Sequence, residues 1–210
     1  KRCSYCIIPK IRGRFRSVPM QELLNEAKRL ASEGVKELVL VAQETTLYGK
    51  DLTGEKQLPL LLHELCKIEG IEWIRLLYCY PEEITDELIK VIKTEEKVCN
   101  YIDMPIQHSE NRILQRMGRR TSREDLVAVI KKLRKEIPDI TIRTTLITGF
   151  PGESQEDHEG LMNFVEECQF DRLGVFTYSP EEDTLAATFE DQIDEEVKEE
   201  RRDELMSLQQ

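Results

Sequence analysis

Short apolar runs alternate along this chain with longer stretches whose apolar residues recur every three or four positions. The runs at 36–42 (KELVLVA), 73–78 (WIRLLY), 100–104 (NYIDM), 140–147 (ITIRTTLI) and 172–178 (RLGVFTY) are rich in β-branched or aromatic residues and lack internal proline, the pattern of buried strands. The stretches at 19–32, 59–68, 85–93, 123–136 and 154–168 read as amphipathic helices. Pro19 suits a first helical turn, Leu23, Leu24, Ala27, Leu30 and Ala31 fall on one face, and Gly34 stops the helix. Ser154 and Asp157 form a capping box ahead of Leu161, Phe164, Val165 and Cys168, and Ser122 caps the helix carrying Leu126, Val127, Ile130 and Leu133. The last helix, 191–208, is so charged that only Ile193, Val197, Leu205 and Leu208 are expected to touch anything.

Strand alternating with helix predicts βαβ units and a parallel sheet, hence an α/β fold. The first visible strand lies far enough into the chain to leave room for an earlier one, ending just before Lys1. No GxGxxG turn is present, so a barrel or partial barrel of six units fits better than a doubly wound sheet. The core is expected to occupy residues 1–190, with 191–210 a charged helix leading toward a further domain. In such a fold, function belongs at the carboxyl ends of the strands.

Composition narrows the class. No apolar stretch is long enough to span a bilayer and the first residues are basic, so the expectation is a protein without membrane partners, in the cytoplasm. Six Cys among 210 residues are too sparse for a disulfide scaffold, which makes the thiols free or metal-bound. Thirty basic and 41 acidic residues give a net charge of −11, an argument against nonspecific duplex binding. The imbalance is local: residues 181–210 hold 12 acids and 3 bases, whereas residues 1–21 hold six bases and no acid. That basic segment fits either a solvated loop or a surface for an anionic partner, cofactor or cluster.

The residues just after each strand are polar or conformationally special: Gln43 to Thr46, Cys79 to Glu82, Pro105 to Ser109, Thr148 to Glu153 and Ser179 to Glu182. Cys3-Ser4-Tyr5-Cys6 would join them if a strand precedes it. Zinc needs further ligands, and the usable spacing of His63 and Cys66 falls on a helix whose Leu61, Leu62 and Leu65 look like core. A redox dithiol would open a helix after a strand, which leaves an iron–sulfur ligand set. Gly149-Phe150-Pro151-Gly152 lacks the lysine of a nucleotide loop and reads as a tight turn that lets a flat ligand approach backbone. Arg143 and Arg75 are charges inside apolar strands, each facing a ligand or a structural ion pair. Cys66, Cys79, Cys99 and Cys168 are expected to be buried structural thiols, and His158 to lie on the surface.

Taken together, these segments resemble the radical S-adenosylmethionine (SAM) superfamily, and within it the methylthiotransferases. Cys3-Ser4-Tyr5-Cys6, followed by Ile7-Ile8-Pro9 and Arg12-Gly13, is similar to the end of that family's CxxxCxxC element. Val41-Ala42-Gln43-Glu44, the block from Met104 to Ser109 with Arg116-Met117, Arg143-Thr144-Thr145 with Gly149 to Glu153, and Thr177 to Pro180 match further motifs in order. The segments from Gln43 to Gly49, Gln107 to Ser109 and Tyr178 to Glu182 look more like the branch acting on a ribosomal protein than the branch acting on tRNA. One departure is that the family's first cluster Cys would lie two residues upstream of Lys1.

The resemblance implies a partial TIM-like (β/α)6 barrel, its first strand largely truncated. It implies a 4Fe-4S cluster on Cys3, Cys6 and that third Cys, with SAM chelating the open iron. Gln43 and Glu44 would meet the SAM amino group and Arg143 its carboxylate. Tyr5 would flank adenine, Phe150 and Tyr178 would line that side, and Ser109 would reach the ribose. A second 4Fe-4S cluster would sit in a domain outside this chain, and an electron donor would be a partner. The implied reaction adds a methylthio group to the β-carbon of an aspartate in the twelfth small-subunit ribosomal protein. The tRNA-adenosine reaction and a non-catalytic, metal-stabilised binding module are the alternatives. With two thiols near the start of the chain, the segment around Cys3 is expected to be poorly ordered without its cluster; as cluster thiolates, Cys3 and Cys6 would be kept ionised by iron and by the basic segment around them.

Overall fold

The computed structural model describes residues 3–209. Its strands are β1 (Glu37–Leu40), β2 (Trp73–Leu76), β3 (Val98–Asp103), β4 (Thr141–Thr148) and β5 (Arg172–Thr177). Their order in the sheet is their order in the chain. β1 pairs with β2, β2 with β3 and β4 with β5, each in parallel. The predicted sequential α/β architecture is therefore the observed one. An additional strand before Lys1 lies outside the described residues. No helix among the described residues is long and apolar enough to cross a membrane.

The chain divides into two compact units. One runs from Phe15 to Met104 and adds Lys131–Ile142. It contains α2 (Met20–Ser32), following the short α1 (Ile8–Arg12) of the other unit, and α3 (Lys50–Thr53), α4 (Leu58–Cys66) and α5 (Asp86–Thr94). Helix α2 ends where Gly34 takes a φ of 92°, so that Val35 N–H can reach back to the Leu30 carbonyl at 3.1 Å. Leu58, Leu61, Leu62 and Leu65 bury one side of α4, and Leu88, Ile89 and Ile92 one side of α5, which Thr85 caps at Leu88 N–H. Ile74 and Leu76 complete this core from β2.

The other unit combines the N-terminal segment up to Arg14, Pro105–Ile130 and the chain from Arg143 onward. It holds α6 (Asn111–Arg116), most of α7 (Arg123–Glu136), α8 (Gln155–Cys168) and α9 (Glu195–Leu208). β4 alternates cleanly: Ile142, Thr144, Leu146 and Thr148 are buried, while Thr141, Arg143, Thr145 and Ile147 take the other face. Ser154 and Asp157 make the expected capping box of α8.

Three sequence-based expectations are corrected here. His158 is fully buried rather than superficial, with Nε2 2.7 Å from Glu204 Oε2; its spacing with Leu161 and Val165 puts it on the inner face of α8. In α9 the buried residues are Lys198, Arg201 and Leu205, whereas Ile193, Val197 and Leu208 are only half-buried. The helix packs on β5 and α8 by covering apolar surface with the stems of two cationic side chains. Of the four thiols expected to be buried, Cys79 and Cys168 are, but Cys66 and Cys99 are half-exposed.

Candidate functional site

In the second of these units, β4 runs straight into the turn from Gly149 to Glu153. Gly149 adopts a φ of 68°, and Glu153 N–H closes the turn on the Phe150 carbonyl at 2.9 Å. The fully buried Glu153 carboxylate then folds back under that turn. Its Oε2 accepts Gly149 N–H at 2.9 Å and lies 3.3 Å from His108 Nε2; its Oε1 accepts Thr148 Oγ1 at 3.3 Å and Arg201 Nη1 at 2.8 Å. Burial alone would raise this carboxyl, but His108, the Gly149 amide and Arg201 hold it below its ordinary value. His108 Nδ1 accepts Glu110 N–H at 3.0 Å, which leaves the ring proton on Nε2, facing Glu153.

Phe150 is fully buried at the centre of an aromatic cluster. Its ring meets Tyr5, Tyr178 and Phe189 edge-to-face at centroid distances of 6.4, 5.3 and 6.2 Å. Ile113, Met117 and Ala186 complete the cluster, and Ile147 packs against it. Three of the sequence-predicted site residues, Tyr5, Phe150 and Tyr178, therefore converge. Burial, with Glu181 nearby, pushes the Tyr178 phenol up.

Cys3 and Cys6 stand at the edge of this cluster through Tyr5. Cys6 N–H donates to the Cys3 carbonyl at 3.2 Å, and Ser4 between them is pinned three times. Its N–H reaches the Met117 carbonyl at 2.9 Å, its Oγ the Arg116 carbonyl at 2.7 Å, and its own carbonyl accepts Ala186 N–H at 2.9 Å. These bonds tie Ser4 to Arg116-Met117 and to Ala186. Burial pushes the Cys6 thiol up, and the neighbouring Cys3 adds to this. Both thiols are half-exposed, so their turn can present two sulfurs to an external metal centre. No three His, Cys, Asp or Glu side chains converge on a metal-sized site among the described residues.

Ser109 is fully buried; its Oγ donates to Glu110 Oε1 at 3.1 Å and lies 3.4 Å from Arg123 Nη1. Arg143 is the third residue of β4 and exposed, on the face that Thr145 and Ile147 share. It lies about 13 Å along the strand from Ile147, whose side chain reaches the aromatic cluster.

In the unit containing β1 to β3, strand ends are stitched together. Gln43 is exposed just past β1, while Glu44 is buried and accepts the N–H of Thr46 at 3.2 Å and its hydroxyl, capping a short turn of helix at Thr45–Leu47. Thr45 N–H and Oγ bond to the Tyr78 and Leu77 carbonyls at 3.0 and 2.6 Å, and Cys79 N–H to the Asp103 carbonyl at 2.8 Å. His63 lies on the exposed side of α4 with Nδ1 2.7 Å from Glu95 Oε1. Arg75 is ion-paired with Glu37 at 2.6 Å and stacks 4.8 Å over Tyr101, which satisfies the structural reading of that charge.

These features define an α/β protein of sequential parallel strands, with a cysteine pair and an aromatic cluster beside its strand-end turns. The chain belongs to the radical SAM superfamily, whose family pattern matches residues 1–165. It is 65% identical over 210 residues to the ribosomal protein uS12 methylthiotransferase RimO of Lachnoclostridium phytofermentans, covering all of this chain and 48% of that protein. The protein of the same description from Clostridium perfringens is 60% identical over 207 residues, covering 99% and 46%. The chain thus spans about half the length of the curated relatives it matches. Among solved structures, coproporphyrinogen III oxidase of Escherichia coli superposes with a TM-score of 0.69 at 18% identity, over 99% of this chain and 48% of that one. The radical SAM methyltransferase TsrM of Kitasatospora setae gives 0.68 at 19%, over 84% and 34%. Both likenesses are of fold, and establish the partial barrel expected from the sequence.

Sequence reasoning missed the network on Glu153. Glu153 was visible as the end of the Gly149–Glu153 motif, but His108 and Arg201 carried no signal linking them to it. Helix α6 was also missed, because its apolar positions Ile113 and Leu114 are too few to establish a period.

Proposed function

We propose that this chain is the catalytic core of a methylthiotransferase that modifies the β-carbon of an aspartate in ribosomal protein uS12. The observation that carries this reading is the 65% identity across all 210 residues to a protein described as that enzyme. Residues 1–190 would form the core, with 191–210 packing on it through α9 before leading into flanking sequence.

When bound, a 4Fe-4S cluster supplies the electron that splits SAM reductively, and a second cluster, outside this chain, takes part in sulfur delivery. Cys3 and Cys6 would hold the first cluster together with a third ligand, and the hydrogen bonds of Ser4 anchor the backbone between them. Gln43 and Glu44 would orient the SAM amino group, with Thr46 steadying Glu44. Arg143, exposed on its strand, would take the SAM carboxylate. Tyr5 would flank adenine, backed by the buried Phe150 and Tyr178, and would exclude water from that side. Ser109 would reach the ribose. An electron donor and uS12 are the partners.

The test is to incubate the full-length protein, reconstituted with iron and sulfide, with SAM, reductant and uS12. Mass spectrometry is expected to find a methylthio group on one aspartate. A methylthio adenosine in tRNA instead would transfer the activity to the other substrate class. Arg143→Ala is expected to weaken SAM binding by roughly 1.5–3 kcal/mol; unchanged affinity would remove Arg143 from the site.

A further inference from the structure

Beyond Pro105 the chain is stitched to β4. Gln107 N–H donates to the Thr145 carbonyl at 2.9 Å, and the Gln107 carbonyl accepts Ile147 N–H at 2.7 Å. Gln107 makes these bonds at a φ of 77°, left-handed backbone that a residue other than glycine holds only where its surroundings enforce it. The next residue, His108, is fully buried. Its Nδ1 accepts Glu110 N–H at 3.0 Å. Its Nε2 stands 3.3 Å from Glu153 Oε2, within ion-pair reach but short of a formed hydrogen bond. The same carboxylate oxygen accepts Gly149 N–H at 2.9 Å, in the turn that seats Phe150. One oxygen thus meets both the segment that carries Ser109 and the turn that carries Phe150. Arg201 Nη1 holds the other oxygen at 2.8 Å, so Glu153 cannot swing away from either.

We infer that His108 is a positioning residue for the nucleoside half of SAM: through Glu153 it sets the segment of Ser109 against the turn of Phe150, while touching no ligand itself. The inference rests on the reading of Ser109 and Phe150 as neighbours of the ribose and the adenine. The ladder bonds of Gln107 already fix this segment to β4, so the imidazole is not needed to hold it on the sheet. What the imidazole adds is a tie from that segment to the turn. Ser109 follows His108 directly and Phe150 follows Gly149 directly, so a shift at the tie reaches both residues with little slack. A buried N–H left short of its hydrogen bond costs stability, and such a group in a native fold needs a reason. A site whose bonds close fully only around its ligand supplies that reason.

The experiment uses the full-length protein, reconstituted with iron and sulfide, and measures its affinity for the two halves of SAM, 5′-deoxyadenosine and L-methionine. His108→Asn keeps an oxygen at the place of Nδ1 for Glu110 N–H but is too short to reach Glu153, whereas His108→Gln puts an amide N–H at the place of Nε2. The Asn variant is expected to bind 5′-deoxyadenosine about tenfold more weakly, the scale of one hydrogen bond to a charged group. The Gln variant should recover most of that loss, and L-methionine should bind both variants as it binds the unmodified protein. Unchanged 5′-deoxyadenosine affinity in the Asn variant overturns the inference. So does an equal loss for both halves, which marks a general structural role, or a Gln variant no better than the Asn variant. A second measurement needs no substitution and stands even where a variant does not fold. Adding 5′-deoxyadenosine to the unmodified protein should slow deuterium exchange at the Glu110 and Gly149 amides together, and unchanged exchange at Glu110 overturns the inference. If the unmodified protein binds neither SAM nor 5′-deoxyadenosine, the SAM reading fails and the inference with it. If it binds both and the variants bind alike, the reading stands and His108 alone is dismissed.

Discussion

Arg201 Nη1 lies 2.8 Å from Glu153 Oε1 and 3.2 Å from the Glu153 carbonyl, so one guanidinium nitrogen holds both ends of a residue 48 positions away. The pair is buried, with 9% of the Arg201 side chain and none of the Glu153 side chain exposed. It joins the C-terminal helix to the turn that seats Phe150. A helix that looked from its sequence like a charged appendage is thereby part of the support of the strand-end site.

Removing one member leaves the other charge buried and uncompensated, which costs about 3–5 kcal/mol where a buried pair is broken. Arg201→Met and Glu153→Gln are therefore each expected to destabilise strongly in chemical denaturation. The double variant should lose less than the two single losses added, because the residues share the interaction. Simple additivity would show that Arg201 and Glu153 act independently.

The same carboxylate gives a pH dependence of defined sign. Glu153 is held below its ordinary value by His108, the Gly149 amide and Arg201 against the opposing effect of burial, and Asp157 likewise by Ser154 and Arg112. A carboxyl lowered in the folded state contributes stability that is complete above its unfolded value, about 4, and is lost as pH falls through the lower folded value. Stability should thus be flat with respect to these groups near neutrality and fall in acid. Glu153→Gln, less stable throughout, should show a shallower acid decline, measured as denaturation midpoint against pH; parallel curves for the two proteins would refute the role of Glu153.

The elements were legible because their signals are local. β4 alternates as Ile142, Thr144, Leu146 and Thr148 do in the sequence, and the Ser154–Asp157 capping box is contained in four residues. What escaped depends on distant contacts. His158 reads as polar until Glu204 arrives from α9 to receive it, and Lys198 reads as solvated until its stem covers Gly149. The candidate site divides in the same way: Tyr5, Phe150 and Tyr178 each belong to a recognisable motif and do meet, whereas the anchoring of Ser4 to Met117 and Ala186 has no trace in a spacing.

Gly149 offers a test of that last kind of contact. A Cβ there would stand 2.2 Å from Lys198 Cγ, and the φ of 68° is itself unfavourable for an L-residue, by about 1–2 kcal/mol. Gly149→Ala should therefore cost more than the backbone conformation alone. Adding Lys198→Ala should recover part of that excess, although it gives up the 2.6 Å bond to Glu195 and the contact over the Tyr178 ring. If the second substitution only deepens the loss, Lys198 is not what crowds the turn.

Thiol reactivity distinguishes the cysteine pair from the remaining four cysteines. Cys79 and Cys168 are buried, and burial, with Glu44 and Asp103 nearby, pushes the Cys79 thiol far up. Cys66 is pushed up to about 11 by burial, with Glu95 adding to the effect. At pH ~8 only about one Cys66 in a thousand is thiolate, the reactive form. Alkylation of the metal-free, full-length protein should spare Cys79 and Cys168 until unfolding, and modify Cys66 faster as pH climbs toward its value. Cys3 and Cys6 are half-exposed and should react in the native state, Cys6 slowed by its own raised value. Addition of iron and sulfide should then protect these two and leave the rate at Cys66 unchanged, read peptide by peptide in the mass spectrometer. Protection of Cys66 in their place would move the metal to the side of α4 where His63 and Glu95 stand, and would end the assignment of the cluster to the pair.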